Sequence, residues 1–118
     1  MTCTDRRVLL LEDDPLIALD AEDMLVRLGA GAVHVAFSLA DAAQVLEREA
    51  IDLAVLDIRI GDGRSDALAL ALLERGVSFI FTSGYGTVPD LPEQLRQVPT
   101  VGKPYSEETL RAAFANFP

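Results

Sequence analysis

Arg7-Val8-Leu9-Leu10-Leu11-Glu12-Asp13-Asp14-Pro15 is the stretch on which the fold turns. Its unbroken apolar run has no polar face, so it suits a strand covered on both sides rather than a half-exposed one. The run ends in acid. Asp14 before Pro15 then reads as a helix N-cap followed by a first helical residue, where the missing proline N–H has no partner to lose. Leu16, Leu19, Met24, Leu25 and Leu28 recur at helical spacing as the apolar stripe, and Gly29 closes the helix.

Working outward, the same unit repeats. Residues 32–37 read as a second strand, and Ser38 caps a helix striped by Leu39, Ala42, Ala43, Val45 and Leu46. Asp52-Leu-Ala-Val-Leu-Asp57 is a third strand, followed by the glycine-bearing loop Gly61-Asp62-Gly63, a helix near 65–75 and an all-apolar strand over 77–82. The segment 84–99 carries three prolines and two glycines, so a helix there must be short and centred on 93–97. Thr100-Val-Gly-Lys103 makes a last strand before Pro104, and Ser106-Glu107-Glu108 opens a terminal helix with a serine cap and an acidic first turn. Five strand-helix pairs in alternation predict a doubly wound parallel five-stranded sheet of flavodoxin-like (βα)5 form, with a short or irregular fourth helix.

The totals narrow the function classes. A chain of 118 residues, half of them hydrophobic, buries one ordinary core, so a single domain over 1–118 with no output domain is expected. The net charge of −9 repels phosphate backbones and anionic lipid, which argues against direct nucleic-acid or membrane binding. Cys3 stands alone in a polar terminal stretch, which excludes an internal disulfide and points to the cytoplasm. His34 has no second histidine for company and reads as a surface residue.

A doubly wound sheet gathers its chemistry at the carboxyl ends of its strands. Glu12 and Asp13, Asp57, Ser83 and Lys103 all end strands and so converge, although they lie far apart in sequence. Three carboxylates in one cleft repel one another and need raised pKa values or a divalent cation; hard oxygen ligands favour Mg2+. An ammonium and a hydroxyl beside that cation supply what a transferring phosphoryl group needs, namely charge neutralisation and an orienting donor. Asp57 is then the natural nucleophile.

These residues resemble the response-regulator receiver family: an acidic pair in Leu-Leu-Glu12-Asp13-Asp14-Pro, an acceptor in Val-Leu-Asp57, a hydroxyl in Thr82-Ser83-Gly84, and Lys103-Pro104. The order of the motifs is specific, with Asp57 standing 44 positions after Asp13 and Lys103 20 after Ser83. The resemblance implies that Asp57 is the phosphoacceptor, that Asp13 binds magnesium directly and Glu12 through water, and that the backbone carbonyl of Arg59 completes the protein's ligands. It assigns the phosphoryl oxygens to Ser83, chosen over Thr82 because the family places its hydroxyl before a small residue, and to Lys103. Phe81-Thr-Ser-Gly-Tyr85 looks like the Phe-Ala-Thr-Gly-Tyr signature of a single-domain receiver subgroup, with Thr-Ser in place of Ala-Thr. Ile60-Gly61 replaces the usual Met-Pro, and Thr100 stands where the family's switch aromatic is usual, so the loop through Tyr85 and the short helix after it are the expected responding surface.

The function so implied is a stand-alone receiver. It takes a phosphoryl group from a histidine kinase or phosphotransfer protein, loses it by its own hydrolytic activity, and signals to a downstream protein or acts as a phosphate sink, as a monomer or a phosphorylation-dependent dimer. The alternative is a phosphorylation-independent receiver-like protein-binding module. An aspartyl-phosphate phosphatase is set aside because Arg59 holds the place of its second acid. A flavodoxin-type electron carrier is set aside because Glu12-Asp13-Asp14-Pro15 stands where a phosphate loop is needed.

Overall fold

The computed structural model describes residues 2–84 and 90–117. Each strand-helix unit forms for the reasons read above. Strand β1 (Arg7–Leu11) has all but its first residue buried. Helix α1 (Pro15–Arg27) is capped by Asp14, whose carboxylate accepts from the backbone N–H of Leu16 and Ile17. Then follow β2 (Ala32–Ala36), α2 (Leu39–Arg48) capped by Ser38, and β3 (Leu53–Asp57), buried along its whole length. A two-stranded hairpin, β4 (Arg59–Ile60) with β5 (Gly63–Arg64), leads into α3 (Asp66–Glu74). Next come β6 (Ser78–Ser83), a 3-10 turn (Glu93–Leu95), β7 (Thr100–Gly102) and α4 (Glu107–Ala115), whose Ser106 and Thr109 cap each other reciprocally.

The main sheet has the order β2-β1-β3-β6-β7, every pairing parallel. From β1 the chain crosses to β2 on one side and then to β3 on the other, so the loops after β1 and β3 part and leave a crevice at their carboxyl ends. One face of the sheet packs Leu9, Leu11, Leu56, Phe79 and Phe81 against Ala42, Ala69 and Leu72 of α2 and α3. The opposite face packs Val8, Leu10, Val55 and Ile80 against Ala21 and Leu25 of α1 and Leu110 and Phe114 of α4.

Several expectations are corrected. The buried stripe of α1 is Ala18, Ala21, Met24 and Leu25, whereas Leu16 and Leu19 are 79% and 65% exposed. Alanines let the helix lie close on the sheet, and the turn set by Asp14 and Pro15 fixes which side faces in. In α2, Ala43 is exposed and only Ala42 is fully buried. Cys3 is no polar-tail residue: it is 2% exposed, with its thiol 3.5 Å from the Leu28 carbonyl. Residues 61–63 are not an open loop, because Gly61 at φ +57° turns the β4–β5 hairpin. The short, irregular fourth helix read from the sequence is, among the described residues, the 3-10 turn Glu93–Leu95. His34 lies half-buried on the edge strand β2.

Candidate functional site

Strand parity decides which side chains meet. Glu12, Asp57 and Lys103 continue the alternation of Leu10, Val55 and Val101, and so belong to the face that α1 and α4 cover. Ser83 continues Phe79 and Phe81 and belongs to the other face, while Thr82, 2% exposed, pairs with Asp57 in register. At the sheet's carboxyl edge Lys103 Nζ sits 2.6 Å from Glu12 Oε1 and 2.7 Å from Asp57 Oδ2. One carboxylate oxygen from each of Glu12, Asp13 and Asp57 lies within 4.8 Å of the others.

The surroundings of each carboxylate differ. Glu12, 1% exposed, accepts from the Asp14 backbone N–H at 3.0 Å through its other oxygen. Asp13 is exposed and accepts from the Gly61 N–H at 3.0 Å, which ties the loop after β1 to the hairpin turn. Asp57 is buried, and its backbone carbonyl accepts from the fully buried Ser65 hydroxyl at 2.8 Å. Ser83 donates to the Gly84 carbonyl at 3.3 Å. Arg59 starts β4 with an exposed side chain, two residues past Asp57.

Electrostatics follow from that packing. Burial raises the Asp57 carboxyl above its ordinary value; the Lys103 ammonium offsets part of this and the Asp13 charge adds to it. Glu12 is likewise raised by burial, against hydrogen bonds from Lys103 and the Asp14 N–H. The Gly61 N–H holds Asp13 below the ordinary carboxylate value. Burial alone would lower the Lys103 ammonium, but Asp57 and Glu12 outweigh it and keep the lysine charged.

Two buried carboxylates, one exposed and ionised carboxylate, and no nitrogen or sulfur donor make an oxygen-only set that fits a hard divalent cation such as Mg2+. The cleft beside it, about 500 Å3, runs from Glu12 and Asp13 past Lys103 to Tyr105 and Asp20. A larger hollow of about 640 Å3 lies over α1, but it is lined by aliphatic groups and carboxylates, of which Asp23 is already paired with Arg27. The acidic cleft is therefore where the chemistry converges.

Of the residues chosen from sequence, Glu12, Asp13, Asp57 and Lys103 come together directly, and Ser83 ends the adjoining strand. Tyr85 lies outside the described residues. Sequence reasoning missed Ser65, which read as a helix start; instead of capping α3, its hydroxyl donates to the Asp57 backbone carbonyl. It also missed Arg64, which pairs with Asp66 and donates to the Asp90 carbonyl at 3.0 Å. A hydroxyl eight residues after Asp57 carries no signal until the hairpin that folds it back is known.

No family model matches the chain, and no curated protein does. Solved structures do. SdrG from Sphingomonas melonis Fr1 is 30% identical over 98% of both chains, with a TM-score of 0.80. The BeF3-activated conformation of SdrG from Pseudomonas melonis Fr1 is 31% identical over 96% of both, at 0.77. A CheY-like response regulator receiver domain from Methylobacillus flagellatus shares the fold at 21% identity and a TM-score of 0.74, covering 93% of this chain and 96% of its own.

Proposed function

This chain belongs to the response-regulator receiver family, and on that premise we propose that it accepts a phosphoryl group on Asp57 from the phosphohistidine of a kinase or phosphotransfer protein. The observation that carries this reading is the Lys103 ammonium held between Glu12 and Asp57 at the strand ends, with Asp13 beside them.

An Asp57 carboxylate oxygen attacks phosphorus in line; the new O–P bond forms as the N–P bond breaks, and the electron pair leaves with the donor imidazole, which takes up a solvent proton. Lys103 leaves its carboxylate partners for a phosphoryl oxygen, and Ser83 turns from the Gly84 carbonyl to donate to another. Ser65 holds the acceptor's backbone during the attack. Glu12, Asp13, Asp57 and the Arg59 carbonyl are the residues that would hold Mg2+, which supplies neutralisation of the charge on the phosphoryl oxygens. Hydrolysis of the acyl phosphate by water returns Asp57 and inorganic phosphate.

The SdrG relative has a BeF3-activated conformation, and BeF3 mimics a phosphoryl group on a carboxylate; this supports the same chemistry here. The donor docks on α1, whose Leu16, Leu19 and Val26, together with Phe37, are exposed beside the site and interleaved with Asp20, Glu22 and Asp23. Such a surface fits an apolar helix with basic flanks.

Mass spectrometry after incubation with Mg2+ and acetyl phosphate tests the acceptor. Wild type should gain one phosphoryl group and Asp57→Ala none. A gain in both would move the acceptor elsewhere, and no gain from either acetyl phosphate or a protein donor would leave a phosphorylation-independent binding module.

A further inference from the structure

Tyr105 carries an unexplained polar atom. Half-buried, the residue packs against the hydrophobic cluster on the α1–α4 side of the sheet, and its hydroxyl is buried without a hydrogen-bond partner among the described residues. Buried hydroxyls are ordinarily satisfied, so an orphan beside a working site calls for a partner in another state of that site. Tyr105 lines the acidic cleft together with Glu12, Asp20 and Lys103. Burial, reinforced by the negative charges of Glu12, Asp57 and Asp20, keeps the phenol protonated and therefore a donor.

Glu12 supplies the need for that donor. Its Oε2 is held by the Asp14 N–H, whereas its Oε1 has the Lys103 ammonium at 2.6 Å, shared with Asp57, as an ion pair without hydrogen-bond geometry, so it too lacks a hydrogen-bond donor among the described residues. Once Asp57 bears a phosphoryl group, the ammonium is drawn to the new oxygens. Glu12, 1% exposed, then loses its side-chain counter-charge at Oε1 and, even where it faces Mg2+, needs a donor there to keep its orientation. We propose that Tyr105 is a positioning residue for phosphoryl transfer: its hydroxyl takes the place of Lys103 on Glu12 Oε1 when the lysine moves to the phosphoryl group. The exchange keeps a donor or a counter-charge on Glu12 Oε1 in both states and draws the Tyr105 ring toward the site.

This inference rests on the phosphoryl-acceptor reading, and the experiment separates the two. Wild type and Tyr105→Phe are titrated with beryllofluoride in the presence of Mg2+ by calorimetry, and their thermal midpoints are measured without either. Tyr105→Phe removes only the hydroxyl. Its midpoint without ligand should equal or exceed that of wild type, since an unpaired polar atom is lost, while its affinity for beryllofluoride falls about tenfold, the worth of one hydrogen bond to a buried charge. Equal affinities would overturn the assignment. A lowered midpoint alongside the lowered affinity would also overturn it, making the residue one of packing. A wild type that binds no beryllofluoride would overturn the acceptor reading and this one with it.

Discussion

Replacing Lys103 with methionine keeps the aliphatic stem and removes the ammonium that stands between Glu12 and Asp57. Both carboxylates are buried, so the loss leaves two like charges in a poorly solvated edge. Stability at neutral pH should fall by up to about 3 kcal/mol, and by less in mild acid, where the two carboxyls regain protons. Urea unfolding at the two pH values reads the difference; an equal loss at both would mean that the stem, not the charge, was the contribution. At this scale the sequence was legible where a residue's type already implied its chemistry. Glu12, Asp13, Asp57 and Lys103 are an acid cluster with its counter-charge, each at the end of a strand. Ser65 and Tyr105 were illegible because a hydroxyl's meaning lies in what surrounds it, and those neighbours come from the hairpin and from the seam between helices.

Helix α1 shows where the reading of elements succeeds and fails. Its beginning and end follow from Asp14-Pro15 and Gly29, and Met24, Leu25 and Leu28 face the core as read, but Leu16 and Leu19 in the first turns do not. Leu16 and Leu19 are the larger side chains, yet the alanines at 18 and 21 are what allow close approach to the sheet. The exposed leucines make a specific prediction. Leu19→Asp should leave phosphorylation by acetyl phosphate unchanged and reduce transfer from a protein donor at least tenfold, as loss of a central apolar anchor does. Parallel phosphorylation time courses decide the matter, and equal loss with both donors would place Leu19 in folding rather than docking. The β4–β5 hairpin was not anticipated because Gly61-Asp62-Gly63 reads equally as open loop. Only the fit of Gly61 at positive φ, with its N–H on Asp13, singles out the tight turn.

Across the whole molecule, five parallel strands in the order β2-β1-β3-β6-β7 were legible from the alternation of apolar runs and capped helices, since few topologies accommodate it. That architecture stores unfavourable charge at one edge, and pH should reveal it. Glu12 and Asp57 lie above their ordinary values, so the folded protein retains protons that the unfolded chain releases. Without metal, stability therefore declines as pH rises from about 4 through the folded values of these groups. Thermal midpoints across that range, in salt high enough to screen the net charge of −9, should show the decline in wild type. The decline should flatten with saturating Mg2+ and in Asp57→Asn; curves that superimpose under all three conditions would refute the stored-charge account. Finally, the site takes its parts from four strand ends between residues 12 and 103, and the counter-charge that pairs with Glu12 and Asp57, Lys103, comes last. A ribosome-bound chain that has emerged through Ser83 but not Lys103 carries the three carboxylates yet lacks the ammonium that sits between Glu12 and Asp57. On the proposed function, competence for phosphorylation would then follow only once synthesis has passed β7 and the sheet has closed.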